Sequence, residues 1–394
     1  MGMSAAHPYQ PPCRHYPHCV GCPFIDIPYP DQLRRKREIV VQALTAYPAL
    51  QQIDVSTVAG SPRRLGYRGR VKLVARQNRR DIALGLYVPQ SHRVIDISFC
   101  PVHPRPVNEV LQYLKHKVLE FGIEPYDERD DTGDLRYVDI RYSFAQREVS
   151  MMLVSRHPSL PQAEKLARAL QRRFSFVRGV IQNVNETHGN VIWGNRYRTL
   201  AGRDTILEHL GGLKLVFPTG VFSQANPSMA SKLYDKVVQY ARLTGKERVV
   251  DLYCGVGPIS LHLASRAQSV WGIDDSELAI STAKQNARRN GVSNCRFFAS
   301  DVAAMLDAAR MQLANVDVIV LNPPRKGVQP SALAALLVVD APKLVYVSCE
   351  PTSLARDLDR LRAANYQVLQ VQPFDMFPQT EEVETVALLV KNQP

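Results

Sequence analysis

Cys349 sits in Ser348-Cys349-Glu350-Pro351, between the apolar run 343–347 and the segment TSLARDL. This arrangement predicts a cysteine at the C-terminal tip of a parallel strand, the edge where active sites of open sheets collect. The helix N-terminus behind it would favour the thiolate. A thiolate there can act covalently: it adds to an electron-poor ring carbon and is expelled once a separate base has taken a proton. Three carboxylates near the C-terminus, Glu381, Glu382 and Glu384, are candidates for that base, and Glu384 directly precedes the apolar run TVALLV. Spacing alone does not choose among them. Further cysteines offer metal ligands, in the spacing Cys13-x5-Cys19-x2-Cys22 with Cys100 far downstream. By spacing, zinc and an iron–sulfur cluster fit them equally.

A second set of residues has the pattern of a nucleoside site. DLYCGVG, running from Asp251 to Gly257, ends one apolar run and opens a helical one. Its glycines let the backbone approach a ligand at a strand-to-helix turn. The full dinucleotide pattern G-x-G-x-x-G fails, because no third glycine follows, and this speaks against NAD. The next apolar run ends in Gly272-Ile-Asp274, whose carboxylate can accept ribose hydroxyls while Asp275 or Ser276 caps the following helix. Asp301, ending the third run, is placed to meet an adenine edge. The fourth ends in Asn322-Pro323-Pro324-Arg325, where two prolines hold the asparagine rigidly toward a planar substrate.

These residues need elements to position them. From about residue 212 onward apolar runs alternate with helical patterns, and the chain closes on YQVLQVQPF and VETVALLV with no helix between. That rhythm predicts an α/β fold: a doubly wound, Rossmann-like sheet with an antiparallel last strand. Residues 31–47 read as an amphipathic helix with Leu33, Val40, Val41 and Leu44 inward. Between about 53 and 200 short strands dominate, with helices near 104–120 and 160–173, which predicts an N-terminal β-rich α+β domain. The expected division is a cysteine-bearing arm over 1–35, a central domain over 36–212 that contributes Cys100, and a catalytic domain over 213–394.

The 394 residues include no apolar run long enough for a membrane span and no secretory signal, so a cytoplasmic protein is expected. The net charge of +12 favours a polyanionic partner. The charge is concentrated: Arg63, Arg64, Arg68, Arg70, Lys72, Arg76, Arg79 and Arg80 follow one another with no acid between.

Taken together, Gln224 in VFSQANPSMA, the DLYCGVG turn, NPPRKG, SCEP and the ending FDMFPQT-x-x-VE resemble the RNA uridine-C5 methyltransferases, over essentially the whole chain. The resemblance implies a class I methyltransferase fold with S-adenosylmethionine as methyl donor. It implies that Cys349 adds to carbon 6 of a flipped-out uracil, and that Glu384 removes the carbon 5 proton. Cofactor contacts carry over to Gln224, Tyr253, Asp274 and Asn322. Pro258 departs from relatives that have a polar cofactor contact there, and Asn322 replaces the aspartate of many relatives. That asparagine, the ending, and the lack of room for an extra N-terminal barrel are similar to the branch acting on uracil 747 of 23S rRNA. The same resemblance turns the cysteine reading toward a [4Fe–4S] cluster on Cys13, Cys19, Cys22 and Cys100, and the expected partner toward 23S rRNA, bound by a monomer. The same reaction on tRNA, or a non-catalytic RNA-binding assembly factor, are the alternatives.

Overall fold

The computed structural model describes residues 10–78, 81–189, 191–308 and 315–392. In chain order its elements are α1 (Tyr29–Thr45), β1 (Arg70–Asn78), β2 (Asp81–Tyr87), β3 (Val94–Asp96), α2 (Arg105–Glu120), β4 (Leu135–Ser143), β5 (Glu148–Ser155), α3 (Ala163–Arg173), β6 (Val177–Val184), β7 (Arg196–Gly202), β8 (Thr205–Leu210) and β9 (Leu213–Pro218). There follow α4 (Pro227–Ala241), β10 (Arg248–Leu252), α5 (Pro258–Ala264), β11 (Ser269–Asp274), α6 (Glu277–Arg289), β12 (Cys295–Ala299), α7 (Val302–Ala308), β13 (Val318–Leu321), α8 (Pro330–Val339), β14 (Lys343–Ser348), α9 (Pro351–Ala363), β15 (Tyr366–Phe374) and β16 (Glu384–Lys391).

The C-terminal sheet has seven strands in the order β12-β11-β10-β13-β14-β16-β15. All neighbours run parallel except β16, which is antiparallel to both β14 and β15. This is the class I methyltransferase-like arrangement that the alternating pattern predicts. The strands carry continuous apolar runs because both faces are covered. Val345 and Val347 enter one core with α4, α5 and α6; Leu344 and Tyr346 enter the other with α8 and α9.

α1 packs on this second face, through Val40 and Leu44. Its buried stripe is Gln32, Lys36, Val40 and Leu44, at a spacing of four. The sequence expectation put Leu33 and Val41 inward; both are only half-buried. Two polar residues take the inward positions because they bond to a loop near the C-terminus, described below.

A second seven-stranded sheet, in the order β3-β2-β1-β4-β5-β6-β7, holds the strands from the first half of the chain. One face is apolar against α2 and α3, with Val71, Leu73, Val138, Ile140, Met151 and Leu153 in a shared core. On the opposite face Arg70 and Lys72 of β1 pair in register with Arg141 and Asp139 of β4. The hairpin β8–β9 lies between the two sheets in sequence. It and β7 escape the sequence reading because their side chains do not alternate cleanly. Among the described residues no helix is long and apolar enough to cross a membrane.

Candidate active site

β10, β11 and β13 are adjacent in the sheet and end at one edge. Tyr253 follows β10 in a left-handed conformation, φ +64°, and Gly255 has φ +56°. An added side-chain carbon at Gly255 would meet nothing within 4 Å, so this turn faces open space. Asp274, at the end of β11, accepts the Gly255 N–H at 2.9 Å on one oxygen and the Ser276 N–H at 3.0 Å on the other. Ser276 caps α6, which leaves the Asp274 carboxylate directed at the glycine turn. Burial raises the Asp274 pKa against these backbone donors. The backbone N–H of Asn322 donates to Leu252 at 3.2 Å, so the NPPR turn starts beside Tyr253. Tyr253, Asp274 and Asn322 are thus brought together. Asp301 lies at the same edge, exposed, and accepts the Ala304 N–H at 3.0 Å. Gln224, the fourth expected cofactor residue, lies half-buried on the loop before α4. An open glycine turn with a carboxylate from the next strand suits a nucleoside with ribose hydroxyls, as S-adenosylmethionine has.

The next strand edge carries the reactive groups. In the register of β14 with β16, Ser348 pairs with Thr385. One step further out, Cys349 and Glu384 emerge side by side. Arg325 of the NPPR turn approaches the same point, 2.7 Å from Glu382. Its turn is pinned to α9. Val328 N–H and Tyr346 hydroxyl both donate to Asp357, at 2.8 and 2.7 Å. Gly327, at φ +77°, passes so close that a side-chain carbon would lie 2.4 Å from Asp357.

Burial and the neighbouring Glu384 push the Cys349 thiol up to about 11, and Arg325 acts in the opposite sense. The helix behind it does not win, contrary to the sequence expectation of a favoured thiolate. α9 begins two residues later and its N-terminus is capped by Glu350, so its free N–H groups are turned to a carboxylate. Burial pushes Glu384 up to about 7, with Glu382 adding to the effect and Arg325 opposing it. Register therefore makes the choice among the three acidic residues that spacing left open: Glu384 is buried beside Cys349, Glu382 is tied to Arg325, and Glu381 is exposed. Arg325 was quoted in the sequence only as part of a motif; its position beside a cysteine is long-range information.

The cysteine expectation is corrected. Cys13, Cys19, Cys22 and Cys100 line one cavity of about 60 Å³, but among the described residues no group of three or more His, Cys, Asp or Glu side chains is placed to hold a metal ion. Neither the [4Fe–4S] cluster nor zinc is supported, and all seven cysteines are free. The corner is walled by Ile25, Val71, Leu73, Leu86, Ile97 and Val102, with Arg68, Lys72, His15 and His103 also in its lining. Burial pushes Cys22 up to about 12 and Cys100 to about 11, so these thiols stay protonated and pack as small apolar groups.

The basic run divides. Arg70 is buried against Asp139 at 3.0 Å, and Arg76 pairs with Glu128 at 2.8 Å. Arg79 and Arg80 lie outside the described residues. Arg63, Arg64, Arg68 and Lys72 instead lie over the rings of Phe144, Tyr29, Phe377 and Trp193. Burial, then Arg70 and Arg141, lower Lys72 to about 8. Phe222, two residues before Gln224, is 66% exposed.

The sequence profile of the tRNA (uracil-5-)-methyltransferases matches residues 210–392. An uncharacterized RNA methyltransferase of Geobacter sulfurreducens is 40% identical over 99% of this chain and 79% of its own length. The chain belongs to the uracil-C5 RNA methyltransferase family. Another uncharacterized RNA methyltransferase, from Clostridium tetani, is 35% identical over 98% of this chain and 84% of its own. Among solved structures, the Pyrococcus abyssi tRNA (uracil-54, C5)-methyltransferase in complex with S-adenosyl-L-homocysteine superimposes with a TM-score of 0.74 at 28% identity, covering 95% of this chain and 86% of that one. These relationships overturn the assignment to the 23S rRNA uracil-747 branch. Both the family profile and this solved member of the uracil-C5 RNA methyltransferases are named for tRNA. The rRNA assignment had rested on Asn322, on the ending, on the lack of room for an extra N-terminal barrel, and on the cluster, which the side-chain arrangement does not support.

Proposed function

We propose that this chain transfers a methyl group from S-adenosylmethionine to carbon 5 of a uridine in tRNA, with Cys349 as nucleophile and Glu384 as the base. The observation that carries the reading is the register of β14 with β16, which sets Cys349 beside a buried carboxyl whose pKa lies at about 7. A base poised near neutrality suits removal of a weakly acidic carbon proton.

In this reading Asp274 holds the ribose hydroxyls of the cofactor, with Tyr253, Asn322 and Gln224 around the rest of it. When bound, the cofactor supplies an electrophilic methyl group to carbon 5. Cys349 loses its proton to solvent, aided by Arg325, and its sulfur bonds to carbon 6 while the double-bond pair moves toward the exocyclic carbonyl oxygen on carbon 4, giving an enolate with carbon 5 nucleophilic. After carbon 5 is methylated, Glu384 takes the proton from it. The freed pair restores the ring double bond, the carbon–sulfur bond breaks, and the thiolate returns. Carbon 6 is hidden in a base stack, so the uridine must be flipped out.

Residues 36–212, with Arg63, Arg64, Arg68 and Lys72 at aromatic rings, are proposed to hold the RNA, and residues 213–394 to carry out the chemistry. Cations stacked on half-buried rings suit phosphates and unstacked bases. The test is mapping of 5-methyluridine in total tRNA and rRNA from cells with and without the protein. Loss at a tRNA position is expected. Loss confined to rRNA, or no loss, would refute the substrate assignment.

A further inference from the structure

The loop 375–383 joins β15 to β16 and delivers Glu384 to the site. Among the groups that hold it, one residue far away in sequence reaches both of its ends. Lys36 of α1 is wholly buried, as is Asp375, and their charges lie 2.6 Å apart at the start of the loop. The same ammonium donates to the carbonyl of Phe377 at 2.9 Å and to that of Glu382 at 2.7 Å, at the loop's far end. Its three donors are thereby all used on one loop. One turn earlier, Gln32 bonds Gln379 twice, donating to its side-chain oxygen at 2.8 Å and accepting its backbone N–H at 3.0 Å.

A buried ion pair is a poor device for stability alone, since well-packed apolar residues serve as well or better. What it supplies is directional geometry. The Glu382 carbonyl is two residues from Glu384, and the Glu382 carboxylate holds Arg325 beside Cys349. An ammonium that fixes this backbone fixes the base, whereas the turn that carries the cation is pinned separately, to Asp357 of α9.

We propose that Lys36 is a positioning residue for proton removal: by clamping both ends of the loop 375–383 it aims Glu384 at carbon 5 of the substrate, while Cys349, carried by β14, is placed independently. The inference rests on the reading of Glu384 as the base. It separates two steps of one reaction. Attack by Cys349 needs β14 and the NPPR turn with Arg325; the hydrogen bonds of the Lys36 ammonium go to neither, but to Asp375, Phe377 and Glu382 of the loop. Resolution of the adduct needs the loop.

The test compares the full-length protein with Lys36→Met and with Lys36→Met/Asp375→Leu, which leaves no unpaired buried charge and carries the comparison if the single variant does not fold. Two rates are read: covalent capture of 5-fluorouridine tRNA, which requires attack but no resolution, and release of 5-methyluridine product from ordinary tRNA in a single turnover. Capture should stay within about threefold of wild type, while release falls about tenfold to a hundredfold, the usual cost of misplacing a reacting group. An adduct stable on denaturing gels should build up with ordinary tRNA. Equal losses in both rates, full recovery of release in the double variant, or no change in either would overturn the inference. If instead Glu384→Gln itself resolves its adduct at the wild-type rate, the base assignment has failed and the inference falls with it.

Discussion

The half-buried cysteines Cys22 and Cys100 at one place and Cys349 at another have surroundings that differ in kind. Around Cys22 and Cys100 the walls are largely aliphatic, with other thiols and the cation Arg68 as neighbours. Around Cys349 stand a carboxyl on the neighbouring strand and a guanidinium from the NPPR turn. Burial raises the thiol in both places, to about 12 at Cys22 and about 11 at Cys349. A raised pKa therefore does not distinguish them. The difference lies in the partners: the first corner has cations, Arg68 and Lys72, and a histidine, His103, whose pKa burial lowers to about 3, but no carboxylate in its lining, while the other has a buried carboxyl and a guanidinium set by strand register and a pinned turn. Proximity of thiols makes packing, and proximity of a thiol to a carboxyl and a cation makes chemistry.

The sharpest way to break this contrast is to delete the sulfur in each place. Cys349→Ala should lose at least about a thousandfold in methyl transfer and form no covalent complex with 5-fluorouridine tRNA. Cys22→Ala should keep the turnover of each folded molecule. Equal loss in the two variants, measured as kcat per folded protein, would erase the distinction.

Next in size is Glu384→Gln, for which a loss of about a hundredfold to ten-thousandfold is expected. Attack should persist, so a covalent protein–RNA complex should accumulate on denaturing gels. In the wild type the resolving step should speed up as pH rises and level off above about 7, because only the ionised Glu384 accepts a proton. A single-turnover pH profile with no inflection near that value would remove Glu384 from the role.

Stability should separate the two regions in the opposite direction. Glu384 holds its proton more tightly when folded, at about 7 against an ordinary 4.5. Its contribution is fully present below about 4.5 and is lost as pH climbs through about 7. Above pH 7 Glu384→Gln should thus unfold later than wild type, by on the order of 2–3 kcal/mol. Cys22→Ser, which puts a hydroxyl among aliphatic walls, should unfold earlier, by about 1–3 kcal/mol. Thermal or urea unfolding at pH 8 reads both; a destabilised Glu384→Gln would contradict the burial penalty.

The smallest expected effect lies on the rim of the cysteine corner, where Lys72 stacks on Trp193 at 4.0 Å. Lys72→Met should weaken tRNA binding a fewfold and lower the slope of log K against log salt by about 0.7–0.9, one phosphate's worth. Turnover at saturating tRNA should not change. An unaltered salt slope would confine that corner to packing.

The sequence by itself determined the local facts. Glycines in DLYCGVG marked an open turn at the sheet edge, the apolar run before Cys349 marked a strand tip, and the alternation after residue 212 marked a doubly wound sheet with its antiparallel end. Each is written in neighbouring residues, through turn chemistry and periodicity. Tertiary structure decided the rest. Which of Glu381, Glu382 and Glu384 meets Cys349 follows from the pairing of Ser348 with Thr385. Lys36 turns inward because Asp375, on the far side of the chain, receives it. Arg70 and Arg76 leave the basic surface because Asp139 and Glu128 come to them. The spacing of Cys13, Cys19 and Cys22 suggested ligands, and the apolar walls around them make packed thiols instead. Charge, burial and register depend on residues distant in sequence, and those arrive together only when the chain has folded.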